Sequence, residues 1–382
     1  GVRVDVNSPM ANGGLADDAR IRAHLDTLSE LTGAGARVAL LAHQGRPGGD
    51  AFSCLEPHAE RLDELLDAPV SYVDSTFSGD ARSRIDAMAD GELLVLENTR
   101  FYSEEYMEFE PDRAAETYLV DRLVPALDAY VNDAFAAAHR SQPSLVGFPE
   151  RLPSYAGRVM ERELDVLGNI EDTGRPRVYL LGGAKIADSL HVADSVLDRG
   201  LADVILTAGI VGNVFLFADG VDVGEASASV IHERDSWDTV EWARGLLARH
   251  GDVIHTPLDV AVDRDGDRVE VHREDLPADA PAFDVGSATI DAYADVLSGA
   301  ATAICNGPTG VFEREPFAVG TRELYSAAAR AGYSVVGGGD TAAAIRQLGL
   351  DGFDHVSTGG GAALSLLTGE SLPAVDALRH AD

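Results

Sequence analysis

The sequence predicts an α/β protein of two Rossmann-like lobes, each a parallel sheet with flanking helices, joined by a hinge helix. Three observations predict it. Short apolar runs alternate with longer stretches of helical pattern. The runs are almost continuously apolar, as in strands buried on both faces. The chain has 382 residues, about twice the usual single-domain length.

In the first half the strand-like runs are Val2 to Val6, Val38 to Ala42, Val70 to Val73, Leu93 to Leu96 and Ala129 to Val131. In the second half they are Val178 to Leu181, Val204 to Leu206, Ala303 to Cys305 and Ser334 to Val336. Helical patterns lie between them, among others at Arg20 to Leu31, Pro57 to Leu66, Arg113 to Leu123 and Thr321 to Ala331. The pattern changes between Pro149 and Arg177. There Leu152-Pro153-Ser154 precedes a helical stretch, Gly157 to Ile170, which Gly174-Arg175-Pro176 breaks. The expected organisation is an N-terminal domain over 1–152, a connecting helix over 153–172 and a C-terminal domain over 173–370. Val253 to Val262 and Val269 to His272 alternate around Asp265-Gly266 as a hairpin would. The opening Gly1 to Asp5 reads as a strand already under way, not as a signal peptide, so a short lead-in is expected ahead of it.

Composition limits the function. With 64 acidic against 30 basic residues the net charge is −34, which argues against nucleic acid and anionic membranes as partners. No run of eighteen apolar residues suggests a transmembrane helix. Apolar content of 45% supports real cores, so the acidity reads as a solvating surface of the kind carried by proteins of salt-loving organisms. At molar salt the Debye length is about 3 Å, and the mutual repulsion is largely screened. Cys54 and Cys305 stand in no metal-ligand spacing, and two free thiols in a reduced, cytoplasmic protein are expected. Of the 30 basic residues a single one is lysine, Lys185. Either it survives by chance at a tolerant position, or it does work that an arginine fork cannot do.

Ligands of open α/β sheets bind at the carboxyl ends of the strands. In the first half those ends are polar and basic: Asp5-Val6-Asn7, His43-Gln44-Gly45-Arg46-Pro47, Glu97-Asn98-Thr99-Arg100, and Asn132-Asp133 followed by His139-Arg140, with Arg20 opening the first helix. Any one arginine could be a surface ion pair, and either histidine could be structural. As a set on one sheet edge they suit a small, highly charged anion, because the guanidinium fork matches carboxylate and phosphate oxygens. In the second half the ends are glycine: Gly182-Gly183-Ala184-Lys185, Thr207-Ala208-Gly209, Asn306-Gly307-Pro308 through Glu313, Gly337-Gly338-Gly339-Asp340-Thr341, and Ser357-Thr358-Gly359-Gly360-Gly361. One such loop is an ordinary turn. Several in succession, two of them opening helices, suit phosphate, because bare backbone and helix N-termini approach it closely. Asp340 could be a helix N-cap or a ligand to nucleotide-borne Mg²⁺. Neither a standard P-loop nor a GxGxxG fingerprint occurs. Phosphoryl transfer needs positioning, charge neutralisation and exclusion of water, so closure of the two lobes is expected.

Taken together and in order, these stretches, with Arg3-Val4-Asp5-Val6-Asn7 at the start, resemble the phosphoglycerate kinase family, of a haloarchaeal-like kind, from residue 3 to about 370. The resemblance implies reversible phosphoryl transfer between 1,3-bisphosphoglycerate with ADP and 3-phosphoglycerate with ATP, in glycolysis and gluconeogenesis. It implies that Asp5, Val6, Asn7, Arg20, His43, Gln44, Gly45, Arg46, Arg100, His139 and Arg140 bind the acceptor, with Arg20 also neutralising the phosphoryl group in flight. It implies a nucleotide site of Gly183, Ala184, Lys185, Gly209, Asn306, Pro308, Glu313, Gly338, Gly339, Asp340 and Thr341, with Glu313 on the ribose and Asp340 on Mg²⁺. Gly359, Gly360 and Gly361 would present helix N–H groups to the moving group. The family is usually monomeric, and its C-terminal segment, here 371–382, would pack back on the first lobe. Two departures stand out. Ser189 occupies the place of a second lysine, and Thr207-Ala208-Gly209-Ile210 holds less glycine than the family's adenine loop. Ser189 leaves room for a catalytically silent binder on the same scaffold; another carboxylate acceptor is the third possibility.

Overall fold

The structure, a computed structural model, describes residues 1–234, 237–357 and 359–381. The chain divides into two compact units, Gly1–Asp165 together with Glu370–Asp382, and Val166–Gly369. The division falls inside the helix Arg158–Gly168.

The first unit is built on a six-stranded parallel sheet in the order Val70–Tyr72, Leu93–Val95, Val38–Leu41, Val2–Arg3, Tyr130–Asn132, Ser154–Ala156. Successive strand residues face opposite sides. Val38 and Leu40 accordingly pack with Val2, Val4 and Leu62 in one buried cluster. Ala39 and Leu41 pack with Leu94, Leu119 and Phe148 in another. Both faces are covered, which is why these strands read as unbroken apolar runs.

The second unit repeats the plan. Its parallel sheet runs Ile254–His255, Val204–Thr207, Arg177–Leu181, Thr302–Asn306, Ser334–Gly337, His355–Val356. Leu180 on the central strand is buried in a cluster with Leu206, Val285, Tyr325 and Val336. A three-stranded antiparallel sheet of Asp267–His272, Asp259–Arg264 and Ala282–Val285 is added to it.

Several elements differ from the sequence expectation. The helix expected over Arg20 to Leu31 is two helices, Ala19–Ala23 and Leu25–Gly33, interrupted at His24. That over Arg113 to Leu123 is also two, Pro111–Ala114 and Tyr118–Leu123. The alternating stretch Val253 to Val262 is not one hairpin strand. Ile254–His255 pairs in parallel with Val204–Thr207, and after Pro257 the hairpin proper begins at Asp259. Its turn has positive φ at both Asp265 (55°) and Gly266 (96°), the geometry that Asp-Gly supplies in a two-residue hairpin loop. Ser154–Ala156, expected as a lead into the helix, is an edge strand. The helix Pro373–Arg379 belongs to the first unit, and the Ala374 N–H bonds the Ala138 carbonyl at 3.2 Å. Asp382 lies outside the described residues. Among the described residues no helix is long and apolar enough to cross a membrane.

Because Leu180 is completely buried in a filled core, Leu180→Ala should destabilise the chain by about 2–5 kcal/mol, measured by urea unfolding in concentrated KCl.

Candidate active site

The first unit gathers its basic residues at the carboxyl ends of its strands, around one carboxylate. Asp5 follows the strand Val2–Arg3 and is buried. Its Oδ2 accepts from the Arg20 guanidinium at 2.7 Å and its Oδ1 from the Asn7 N–H at 3.1 Å. Burial pushes its pKa up, but Arg20, His43, the Asn7 N–H and Arg3 outweigh burial and hold the carboxyl well below the usual range.

His43 follows the strand Val38–Leu41, and its Nδ1 lies 2.8 Å from the Arg3 guanidinium. A guanidinium only donates, so Nδ1 accepts and the ring proton sits on Nε2. Burial first, then Arg3, Arg100 and Arg140 against the pull of Asp5, keep His43 neutral far below the ordinary histidine pKa. Arg3 is itself fixed: its Nε donates to the Ser144 hydroxyl at 2.9 Å, which donates to Glu105 at 2.6 Å.

Arg100 is buried, donates to the Gly45 carbonyl at 2.7 Å and lies over the Tyr106 ring at 5.5 Å. Its pKa falls to about 10, through burial and then through Arg140. Arg140 is likewise lowered, by burial and then by Arg46, and His139 by burial and then by Arg140. The Arg140 Nε donates to the His139 Nε2 at 3.2 Å. Cations that depress one another in a strongly acidic chain form a site short of negative charge, which an anion would complete.

Several of the predicted residues also brace the site. Val6 packs into the apolar cluster under the sheet. Gln44 is completely buried: its amide donates to the Ser8 and Ala51 carbonyls, and its oxygen accepts from the Ser8 N–H at 2.9 Å and from His58 Nε2 at 3.1 Å. Asn7 accepts from the Gly45 N–H at 2.9 Å. Gly45 has a φ of 68°, and a Cβ there would lie 2.5 Å from the Ala51 carbonyl oxygen. Asn98 ties the loops together, donating to the Gln44 and Ser53 carbonyls, both at 2.8 Å. Arg3, Tyr106, Ser144 and His58 were not among the predicted site residues. The partners of Arg3, Ser144 and His58 are far away in sequence, and nothing local marks them; Tyr106 sits close to Arg100 in sequence, but an aromatic ring there reads as an ordinary surface residue.

The second unit holds a cavity of about 90 Å³ lined by Gly182, Gly183, Ala184, Lys185, Asp188, Ser189, Asn306, Gly307, Pro308, Gly338, Gly339, Asp340, Thr341, Gly360, Gly361 and Leu364. Three helices begin at it, Ile186–Asp198, Gly339–Leu348 and Gly360–Thr368. Their free N–H groups and dipoles make an anion cradle. Glycine is required where the loops cross: a Cβ on Gly307 would lie 2.3 Å from the Gly182 carbonyl oxygen. The Thr341 hydroxyl accepts from the Gly307 N–H at 2.8 Å. Gly209 lies beside the cradle, where a Cβ would come within 3.3 Å of the Gly183 nitrogen. Glu313 is exposed, and neither it nor Gly359 lines the cavity. Thr358 lies outside the described residues.

Lys185 is exposed, and its ammonium makes no ion pair among the described residues. It is the one cationic side chain lining the cavity among the described residues. The hydroxyl of buried Ser189 is 3.3 Å from the Gly182 carbonyl and adds no charge. The N-cap of Gly339–Leu348 is Gly338, with φ 95°, and no side chain caps that helix. Asp340 is therefore not the N-cap, and its exposed carboxylate is left for a cation.

A larger cleft of about 540 Å³ lies at the amino ends of the first sheet, lined by Gly1, Arg37, Asp90 and Asp128 among others. Among the described residues its only arginine is Arg37 and it has none of the glycine loops, and we assign it no chemistry.

The phosphoglycerate kinase family model matches residues 1–370. The chain belongs to the phosphoglycerate kinase family. It is 68% identical over 382 residues to a phosphoglycerate kinase of Natronomonas pharaonis, covering 100% of this chain and 96% of that one. It is 64% identical to one from Halobacterium salinarum, covering 99% and 96%. Among solved structures, the crystal structure of phosphoglycerate kinase from Pyrococcus horikoshii OT3 matches with a TM-score of 0.93 at 41% identity, over 99% of this chain and 95% of that one. The structure of phosphoglycerate kinase from Coxiella burnetii matches with a TM-score of 0.82 at 32% identity, over 100% and 96%. The haloarchaeal relatives fit the acidic, salt-adapted surface.

Burial lowers the pKa of His58 from 6.5 to about 4. Between those values the unfolded chain binds more protons than the folded one, so this contribution is full above pH 6.5 and drains as pH falls toward 4. The loss is on the order of 3 kcal/mol, and His43 acts in the same direction. Urea midpoints should fall over that window, and His58→Gln should flatten the slope.

Proposed function

We propose that the two sites divide one reaction between them. The reaction is that of the family: reversible phosphoryl transfer between 1,3-bisphosphoglycerate with ADP and 3-phosphoglycerate with ATP, in glycolysis and gluconeogenesis. The unit Gly1–Asp165 with Glu370–Asp382 takes the acceptor, and Val166–Gly369 takes the nucleotide.

In the first unit Arg46, Arg100 and Arg140 bind the phosphate and carboxylate of 3-phosphoglycerate. His43, neutral and with its proton on Nε2, serves as a hydrogen-bond donor, while His139 accepts from Arg140 and holds that guanidinium in place. Asp5 orients Arg20, whose guanidinium faces the charge that moves. The Gly45 and Asn7 loop is held in shape by Gln44 and Asn98. In the second unit Gly183, Ala184, Gly338, Gly339 and Thr341 cradle the phosphates, with Asn306 and Pro308 forming the opposite wall. Gly209 lies toward the base and Glu313 toward the ribose. Gly359, Gly360 and Gly361 offer N–H groups at the start of Gly360–Thr368. Lys185 brings a compact ammonium to the transferred oxygens.

The cradle fits Mg²⁺ carried on the nucleotide. Mg²⁺ is commonly held by one or two carboxylates plus substrate phosphates, and Asp340 supplies one free carboxylate beside glycine loops. When bound there, the ion would neutralise phosphate charge. A monomer working in the cytoplasm, with no nucleic acid or membrane partner, agrees with the chain's charge and apolar pattern.

The observation that carries this reading is the pairing of unsatisfied arginines in one unit with a glycine cradle and a sole lysine in the other. A coupled assay with 3-phosphoglycerate, ATP and Mg²⁺ across KCl concentration tests it, and absence of turnover in both directions would refute it. Lys185→Ala should lower kcat by about 10²-fold, roughly the 3 kcal/mol of one preorganised charge; an unchanged kcat would remove Lys185 from the chemistry. Arg100→Ala should raise KM for 3-phosphoglycerate and leave that for ATP near native. The opposite split would reverse the assignment of the units.

A further inference from the structure

We propose that His24 is a positioning residue for the acceptor site, tying the main chain of Asp5 to the start of the helix that carries the chain from the first unit into the second. The proposal rests on the acceptor-site assignment above and adds a residue to it.

His24 sits at the junction of the helices Ala19–Ala23 and Leu25–Gly33, one turn after Arg20, and its ring is buried. Its Nδ1 lies 2.7 Å from Oδ2 of Asp133. Its Nε2 lies 3.1 Å from the Asp5 nitrogen and 3.2 Å from the Asp5 carbonyl oxygen. With Nδ1–H donating to the Asp133 carboxylate, Nε2 of the neutral ring accepts the Asp5 N–H; an imidazolium would donate from Nε2 to the Asp5 carbonyl instead. In either state the ring holds the Asp5 main chain.

Asp133 is completely buried. Its Oδ1 accepts from the N–H groups of Val159 at 2.8 Å and Met160 at 3.3 Å, in the first turn of Arg158–Gly168. It therefore satisfies helix N–H groups that would otherwise have no partner. Its approach depends on Gly157, where a Cβ would lie 2.2 Å from Oδ1. One carboxylate oxygen thus serves the helix and the other serves His24. At the far end, Arg20 and His24 hold Asp5 together, the first by its carboxylate at 2.7 Å and the second by its main chain. The path runs from the helix N-terminus through Asp133 and His24 to Asp5 and Arg20, every link a buried or half-buried hydrogen bond. Such bonds fix direction as well as distance.

Without the Nε2 contact the Asp5 main chain loses its anchor, and the carboxylate that aims Arg20 shifts with it. The cost should fall on the acceptor and not on the nucleotide.

The test uses the full chain in concentrated KCl, with 3-phosphoglycerate and MgATP varied in turn and thermal unfolding recorded. His24→Asn keeps an amide near Nδ1 to serve Asp133 but does not reach Asp5. It should raise KM for 3-phosphoglycerate about tenfold, the scale of one buried hydrogen bond, and leave KM for ATP and the unfolding midpoint near native. His24→Gln reaches toward Asp5 and should stay within about twofold of native KM. A folded His24→Asn enzyme with native acceptor KM, or equal losses in both variants, would overturn the proposal. If only His24→Gln folds, a raised acceptor KM in it does the same, and a native KM supports the proposal. Arg100→Ala, measured in parallel, separates the two claims. If it is impaired while His24→Asn is native, this inference alone fails. If neither is impaired, the acceptor site itself has been misassigned.

Discussion

A ring of guanidiniums around a single deep carboxylate is the constraint on which the rest of the first unit depends. Asp5 compensates only part of the positive charge of Arg3, Arg20, Arg100 and Arg140, and the surplus is left facing the site. Like charges held close together push apart unless the backbone beneath them is rigid. The buried amides of Gln44 and Asn98, the Ser144–Glu105 bond and the close turn at Gly45 supply that rigidity. The arginines are thereby preorganised for an anion that arrives already charged. Little reorganisation remains to be done when it binds.

The second unit meets the same demand with opposite means. Instead of side chains it uses backbone, brought close by glycines whose Cβ atoms would collide with neighbouring carbonyls. Helix dipoles stand where arginines stand in the first unit, and one ammonium completes them. Elsewhere on the surface positive charge is carried by arginine, often in exposed pairs three residues from an acid, such as Arg113 with Glu116 and Arg244 with Glu241. Such pairs contribute little to stability and less at high salt. The acidic exterior and the basic interior of the site answer to different pressures and hardly affect each other.

The alternation of strand and helix was legible because strands covered on both faces must be apolar throughout, as Val38–Leu41 and Arg177–Leu181 largely are. The edge strands Ser154–Ala156 and His355–Val356 were not, since they are short and lie in no apolar run of their own. The break at His24 was invisible because histidine is tolerated within helices, and only the distant Asp133 and the Asp5 main chain explain its buried ring. In the site, arginines and glycines at strand ends could be read directly, since their chemistry is local. The braces could not. The bracing by Gln44 depends on Ser8, Ala51 and His58, which local sequence does not reveal, and Arg3 reads as a strand residue because it is one.

The return of the helix Pro373–Arg379 to the first unit has a consequence for how the molecule is made. The Ala374 N–H closes on the Ala138 carbonyl, next to His139 and Arg140. A chain emerging from the ribosome presents its first sheet early, yet the segment that braces this loop is translated after the whole second unit. The loop carrying His139 and Arg140 is then the last part of the first unit to be braced, and a nascent or prematurely terminated polypeptide can hold both sheets without that brace.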